Sequence, residues 1–243
     1  MRVAFAGKGG AGKSFISATV ARSLARRSDP VLALDVDTMP GMALSLGVDA
    51  GLDGLPEELA EERPGVGWVM REAIPAIDLV HRYSVAAPDG VRLLTLGKMP
   101  GHMKPGSSAV FRHVVRTFDE PGWSMVADLP AGVRQPSFGW ADFADVVVIV
   151  VEPTEKSQLT ARRLAGIVAD RDARVVVVIS KWRPGDDADA IAASLGRPLL
   201  GVVPYDDEVR AAEAARRAPL DAAPNASAVR AVQGLLAALG GER

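Results

Sequence analysis

Gly7-Lys8-Gly9-Gly10-Ala11-Gly12-Lys13-Ser14 decides how the rest of this chain is read. The apolar run Val3-Ala4-Phe5-Ala6 precedes it, and Phe15 to Leu24 follows with the composition of a helix. Strand, glycine-rich turn and helix form the context in which the spacing G-x-x-x-x-G-K-S/T marks a phosphate cradle. The glycines let backbone N–H groups converge on phosphate oxygens, and the helix N-terminus adds its partial positive charge. The pattern sets Gly9, Gly10, Ala11, Gly12 and Phe15 along a nucleotide. It aims Lys13 at the β- and γ-phosphates and offers the Ser14 hydroxyl to Mg²⁺.

The remainder of the chain bounds what such a site could serve. At 243 residues it fits one α/β domain, residues 1–243, long enough to bury a sizeable core. The net charge is −2, with Lys and Arg scattered along the sequence, which argues against nucleic acid as the main partner. There is no cysteine, so disulfides, iron–sulfur clusters and thiolate metal sites are excluded. The N-terminus runs directly into a strand, and no apolar run approaches the roughly 20 residues of a membrane span. A cytoplasmic protein without a stable membrane anchor is expected.

In order along the chain, Pro30 to Asp35 is a second short apolar run, ending in Asp35-Val36-Asp37. A β-α-β start of this kind favours a parallel sheet with its ligand at the carboxyl ends of the strands. Residues 49–75 are acidic and rich in breakers, and read as a surface excursion. The composition suggests strands over 78–83 and 91–97, an irregular loop over 98–107, and a helix through Phe118. Trp123 to Asp128 is a strand ending in an acid, followed by Leu129-Pro130-Ala131-Gly132. Val146 to Val151 and Arg174 to Ile179 are continuous β-branched runs, as in strands covered on both faces. A helix over 155–171 capped by Thr154, a strand over 199–203, and a helix over 207–217 complete the pattern. Ala228, Val229, Val232, Leu235, Leu236 and Leu239 share one face of a final helix. The fold expected is a three-layer α/β domain with a mostly parallel central sheet flanked by helices.

Lys8 narrows the reading. An ordinary phosphate loop has no use for a second lysine directly after its first glycine. The pattern G-K-G-G-x-G-K-S resembles the deviant Walker A motif of the dimeric MinD/ParA/nitrogenase-iron-protein class of ATPases. That resemblance implies ATP and Mg²⁺ as ligands, a homodimer closed through the nucleotide face, and Lys8 acting on the partner's nucleotide. Asp128, ending a strand before Pro-Ala-Gly, has the form of a Walker B and switch II segment. It would hold Mg²⁺ through water, with the Gly132 N–H on the γ-phosphate. By the same resemblance Asp37 positions the attacking water and Asp35 stands closer to the metal, although the division between these two acids stays open. Lys8, Lys13 and Asp37 are thus the expected catalytic set, and Ser14, Asp35 and Asp128 the expected metal set.

Base recognition rests on thinner ground. Relatives often place Asn-Lys at the end of the penultimate long strand, and this chain has Ser180-Lys181. Val203-Pro204-Tyr205-Asp206 resembles the adenine-flanking segment of the class, so Ser180, Lys181, Pro204 and Tyr205 are the candidate base contacts. The guanine-reading N-K-x-D is absent.

In outline nearly the whole chain resembles the CooC-like accessory ATPases of carbon monoxide dehydrogenase nickel insertion. Their Cys-x-Cys metal site has no counterpart here, so a metallochaperone role through it does not carry over. Met99, His102 and Met103 are candidate soft-metal ligands in its place, against the alternative of a partner-binding loop. His81 and His113 read as ordinary strand and helix residues. Three functions are compatible with these residues. One is an ATP-dependent dimeric switch acting on an unidentified client protein. Another is a MinD/ParA-like positioning ATPase, and the third a P-loop phosphotransferase or ligase.

Overall fold

A computed structural model of the chain describes residues 1–27, 29–37, 41–49, 53–97, 104–133, 139–169 and 171–240. Its core is an eight-stranded sheet in the order β10-β9-β8-β1-β7-β2-β6-β5. The strands are β1 (Arg2–Gly7), β2 (Val31–Asp35), β5 (Val85–Ala86), β6 (Arg92–Thr95), β7 (Ser124–Asp128), β8 (Val146–Val151), β9 (Arg174–Trp182) and β10 (Leu199–Pro204). All neighbours run parallel except β5, which pairs antiparallel with β6 at one edge. The continuous apolar runs of the sequence are these strands, buried because both faces of the sheet are covered.

The period-2 alternation of β1 shows how the two faces are filled. Ala4 and Ala6 point into one core cluster, with Val110 and Phe111 of α4 (Pro105–Thr117) and Leu164 of α5 (Glu155–Ile167). Val3 and Phe5 point into the other, with α1 (Lys13–Ala25), α2 (Gly41–Leu46) and the last helix, α9 (Ser227–Gly240). The apolar stripe of α9 docks on the domain itself: Val229, Val232, Leu235, Leu236 and Leu239 are buried, and the helix packs on β10 and α1. No helix among the described residues is long and apolar enough to cross a membrane.

Two segments differ from the sequence-based expectation. Residues 78–83 belong to a helix, α3 (Ala76–Tyr83), not to a strand. Its buried residues Ala76, Leu79 and Val80 follow the i, i+3, i+4 spacing of a helical face, and Pro75 occupies the N-cap position. The excursion at 49–75 contains a separate antiparallel hairpin, β3 (Ala60–Arg63) and β4 (Gly67–Met70). Thr154 does stand at the N-cap of α5, but its side chain makes no capping bond. The Ser157 hydroxyl instead accepts from the Glu152 N–H at 3.0 Å. The remaining short helices are α6 (Ala188–Ser194), α7 (Asp207–Ala214) and α8 (Pro219–Ala222).

The far end of α1 is clasped by ions. Arg22, 2% exposed, donates from Nε to Asp89 at 2.6 Å and from both terminal nitrogens to Asp221 at 2.6 and 2.8 Å. Hydrogen bonds from Arg22 hold the Asp221 carboxyl below its ordinary value, against the opposing effect of burial.

Candidate functional site

Strand β1 lies between β7 and β8, so the loop that leaves it emerges where the sheet connections diverge to either side. The start of that loop is tight: a Cβ on Gly7 would lie 2.4 Å from the Val150 carbonyl oxygen. Gly10 and Gly12 have φ of 82° and 86°, the left-handed region open to glycine. The turn closes through the Ala11 N–H to Lys8 carbonyl bond at 3.2 Å and enters α1 at Gly12.

Lys13 is buried, and its Nζ donates to the Lys8 carbonyl at 3.4 Å. Ser14 donates from Oγ to Asp128 Oδ2 at 2.5 Å. The other oxygen, Asp128 Oδ1, is buried with no hydrogen-bond partner among the described residues. Burial raises the Asp128 carboxyl to about 6, with Lys13 and Ser14 opposing the rise and Asp37 adding to it. A buried carboxylate with one orphaned oxygen beside a hydroxyl is an oxygen donor set suited to Mg²⁺, so the residues fit the ion the sequence implied.

Asp35 stands beside Asp128 in the adjacent strand, with its oxygens taken by backbone N–H groups. Its Oδ2 accepts from Met42 N at 3.0 Å and Ala43 N at 3.4 Å, while Oδ1 accepts from Asp37 N at 3.2 Å. The Asp35 carboxyl thereby ties down the first turn of α2. Burial, then the neighbouring Asp128, pushes Asp35 well above the usual carboxylate range, against those three N–H bonds. Asp37 lies two residues further on, half-buried.

Gly132 is positioned otherwise than expected. Its N–H donates to the Gly7 carbonyl at 3.1 Å and so extends the β1–β7 pairing. A γ-phosphate would have to displace that bond to use it.

Ser180, read as a base contact, supports the loop instead. It is 2% exposed, and its hydroxyl donates to the Ala11 carbonyl at 2.6 Å. Lys181 has φ 53°, an unusual conformation for a residue with a side chain. From there its Nζ donates to the Gly10 carbonyl at 2.5 Å and pairs with Glu152 at 2.9 Å. A cavity of about 130 Å³ lies beside them, lined by Phe15, Pro204, Tyr205 and Glu213. A second of about 410 Å³ opens over Gly10, Lys13 and Ser14. Pro204 and Tyr205 thus line a cavity beside the phosphate-loop turn.

Two residues were missed by sequence reasoning. Glu152 faces both Lys181 and Lys8, the latter at 3.8 Å. The available signal was its position at the end of β8, the same strand-end placement that marked Asp35 and Asp128. Gly41 opens α2 so close to the site that a Cβ there would lie 2.8 Å from Ser14 Oγ. Met99, His102 and Met103 lie outside the described residues. Among the described residues no cluster of three His, Asp or Glu could hold a metal.

Comparison with known proteins agrees with this geometry. The model of the CobQ/CobB/MinD/ParA nucleotide binding domain matches residues 3–220. An uncharacterized ATP-binding protein of Methanocaldococcus jannaschii is 31% identical over 227 residues, covering 86% of this chain and 87% of that protein. The carbon monoxide dehydrogenase accessory protein CooC of Rhodospirillum rubrum is 27% identical over 245 aligned positions, covering 92% and 91%. Among solved structures, the septum site-determining protein MinD of Pyrococcus horikoshii, complexed with Mg-ADP, superposes with a TM-score of 0.73. It is 16% identical and covers 99% of this chain and 96% of that one, a likeness of fold.

Proposed function

Because the chain belongs to the CobQ/CobB/MinD/ParA nucleotide-binding domain family, we propose that it is an ATP-dependent switch. It binds Mg-ATP in the cradle, closes into a homodimer across the nucleotide face, hydrolyses ATP slowly and acts on a client protein in the cytoplasm. The observation that carries this reading is the state of Lys8. Its side chain is 36% exposed, donates from Nζ to the Gly9 carbonyl at 3.3 Å and stands 3.8 Å from Glu152. An ion pair that long and that exposed contributes about 0–1 kcal/mol. Lys8 therefore leaves it at little cost when a second nucleotide is presented opposite.

Loading ATP exchanges partners within the loop. Lys13 leaves the Lys8 carbonyl for phosphate oxygens, and the N–H groups of Gly10 to Ser14 receive the β-phosphate. Ser14 and Asp128 would hold Mg²⁺, which when bound neutralises charge on the phosphate oxygens. Asp37, at the mouth of the site, orients the water that attacks the γ-phosphorus. Hydrolysis of this kind needs alignment and charge neutralisation more than covalent help. Phe15, Pro204 and Tyr205 flank the base.

Likeness to the Rhodospirillum rubrum accessory protein supports a client that is itself a protein, although a cysteine-free chain brings no thiolate for a metal cargo. The reading is tested by light scattering of the wild type, Lys8→Ala and Asp37→Ala with Mg-ATP or ADP. The expected result is an ATP-dependent dimer, stabilised in Asp37→Ala and absent in Lys8→Ala. A monomer in every condition would remove the role of Lys8 and favour a phosphotransferase.

A further inference from the structure

We propose that the groove between the β3–β4 hairpin and α4 receives an extended acidic segment of a partner protein, which adds as a third strand to the free edge of β4. The groove has a volume of about 1040 Å³. Residues 66–73 form one wall without a break, so it runs along the edge of β4 and not over one face. The other wall is a single stripe of α4 that includes Ser108, Arg112, His113 and Arg116.

The hairpin is a sheet of its own, paired only within itself among the described residues. In the β3–β4 register, Ala60 faces Met70 and Glu62 faces Trp68. The Arg71 N–H donates to the Leu59 carbonyl at 2.9 Å, which fixes the alternation. Gly67 and Val69 therefore bond inward to β3, and Trp68 and Met70 turn their N–H and C=O groups outward. An outward row of alternating donors and acceptors is a template for another strand.

Charge selects the kind of strand. Arginines 63, 71, 112 and 116, scattered through the sequence, converge on this groove with Glu72 as the acid in its lining. Glu61 pairs with both Arg63, at 2.7 Å, and Arg71, at 3.8 Å, so one carboxylate serves two guanidinium groups. Arg112 is steadied over the Trp140 ring, 5.3 Å from its centroid, which leaves its charge in place. In the α4 wall, the Ser108 hydroxyl is buried without a hydrogen-bond partner among the described residues. An extended peptide supplies both donors and acceptors at the spacing of the edge, whereas a nucleic-acid backbone presents acceptors alone. Pairing two copies edge to edge would bring like-charged arginine walls together.

This deepens the client-binding reading and rests on it for its biological role. It is tested without nucleotide, so that a failure of the switch reading leaves the result readable. A fluorescein-labelled octapeptide of alternating Glu and Val is titrated into the full chain and followed by anisotropy. Two further peptides serve as probes: one with Lys for Glu, and one with alternate backbone nitrogens methylated. The Glu–Val peptide is expected to bind and the other two to fail. Arg112→Glu with Arg116→Glu weakens that binding roughly tenfold or more, while titration with a fluorescent ATP analogue is unchanged. Equal binding of the methylated peptide overturns strand addition. Binding of a DNA duplex that the double variant abolishes, or self-association that it relieves, would overturn the acidic peptide as occupant. Absence of Glu–Val binding by a chain that still binds nucleotide overturns the proposal and leaves the ATP switch standing.

Discussion

Asp35 and Asp128 are in-register partners at the carboxyl ends of adjacent parallel strands, yet they have divided their work. Asp35 gives one oxygen to the backbone N–H groups that open α2 and the other to the Asp37 N–H, while Asp128 keeps one oxygen without a partner among the described residues, beside Ser14. One acid shapes the site and the other is left available to it.

That division carries a cost in the nucleotide-free chain. The Asp128 carboxyl titrates near 6, above its ordinary 3.8, so the folded state holds a proton that the unfolded state releases. Stability contributed by that proton is present at low pH and is lost between about pH 4 and pH 6, on the order of 2–3 kcal/mol. Asp128→Asn should therefore raise the melting temperature of the EDTA-treated chain at pH 7.5 by several degrees. The same variant should lose the extra stabilisation that Mg-ATP gives the wild type. Calorimetry with and without Mg-ATP measures both, and a lower melting temperature in EDTA would contradict the account.

Ser180 supports the loop from behind. Ser180→Ala leaves the Ala11 carbonyl without its side-chain donor, at a cost of about 1 kcal/mol. The expected effect is a roughly fivefold weaker nucleotide affinity with an unchanged preference for adenine over guanine. A change in base preference would return Ser180 to the base.

Gly41→Ala tests the closeness of α2 to the cradle. The added methyl would lie 2.8 Å from Ser14 Oγ, so the hydroxyl must rotate away from Asp128. ATPase activity should fall about tenfold and need more Mg²⁺, since a misplaced donor costs roughly 1.4 kcal/mol per factor of ten. The melting temperature should fall by only a few degrees, since one buried hydrogen bond is lost. Wild-type Mg²⁺ dependence in this variant would be the contrary result.

The Arg22 clasp sets the acid limb of stability. Because Asp221 titrates below its ordinary value in the folded chain, its contribution is complete above the unfolded value. It is lost as the pH falls through the folded one. Asp221→Asn should be less stable at pH 7 and show a flatter loss of stability below pH 4. Arg22→Met should destabilise by about 1 kcal/mol at pH 7, since it breaks the buried guanidinium's bonds to both carboxylates while Arg26 still reaches Asp89 at 3.0 Å and Asp221 at 3.7 Å. Urea titrations across pH measure both, and parallel pH profiles for Asp221→Asn and wild type would count against the clasp.

The sheet and the phosphate loop were legible in the sequence because their signals are local. Val146 to Val151 has no other good home than a strand covered on both sides, and the glycines of the loop stand at fixed spacing. The misreadings have a common cause, in that tertiary contacts outvoted local composition. Leu79-Val80 with Tyr83 is rich in strand formers, but burying Ala76 together with Leu79 and Val80 needs a helix. The hairpin was hidden by Glu61, Glu62 and two glycines, and it forms where Trp68 packs against α4. Contact there is close, since a Cβ on Gly106 would lie 2.9 Å from the Trp68 ring. Ser180 occupied the position expected of a base contact, and only its burial reveals that its hydroxyl points at the loop.

The central place of β1 has a consequence for how this protein is made. Its pairing partners begin at Ser124 and Val146, and the side chains that brace its loop arrive with Ser180 and Lys181. A ribosome delivers the phosphate loop first, and the flanking strands and bracing side chains more than a hundred residues later. Long-range parallel pairing is slow to form and leaves apolar strands unpaired while the chain is growing. Nascent chains that stop before residue 182 should therefore lack the braced cradle, and nucleotide capture becomes a mark of a finished molecule.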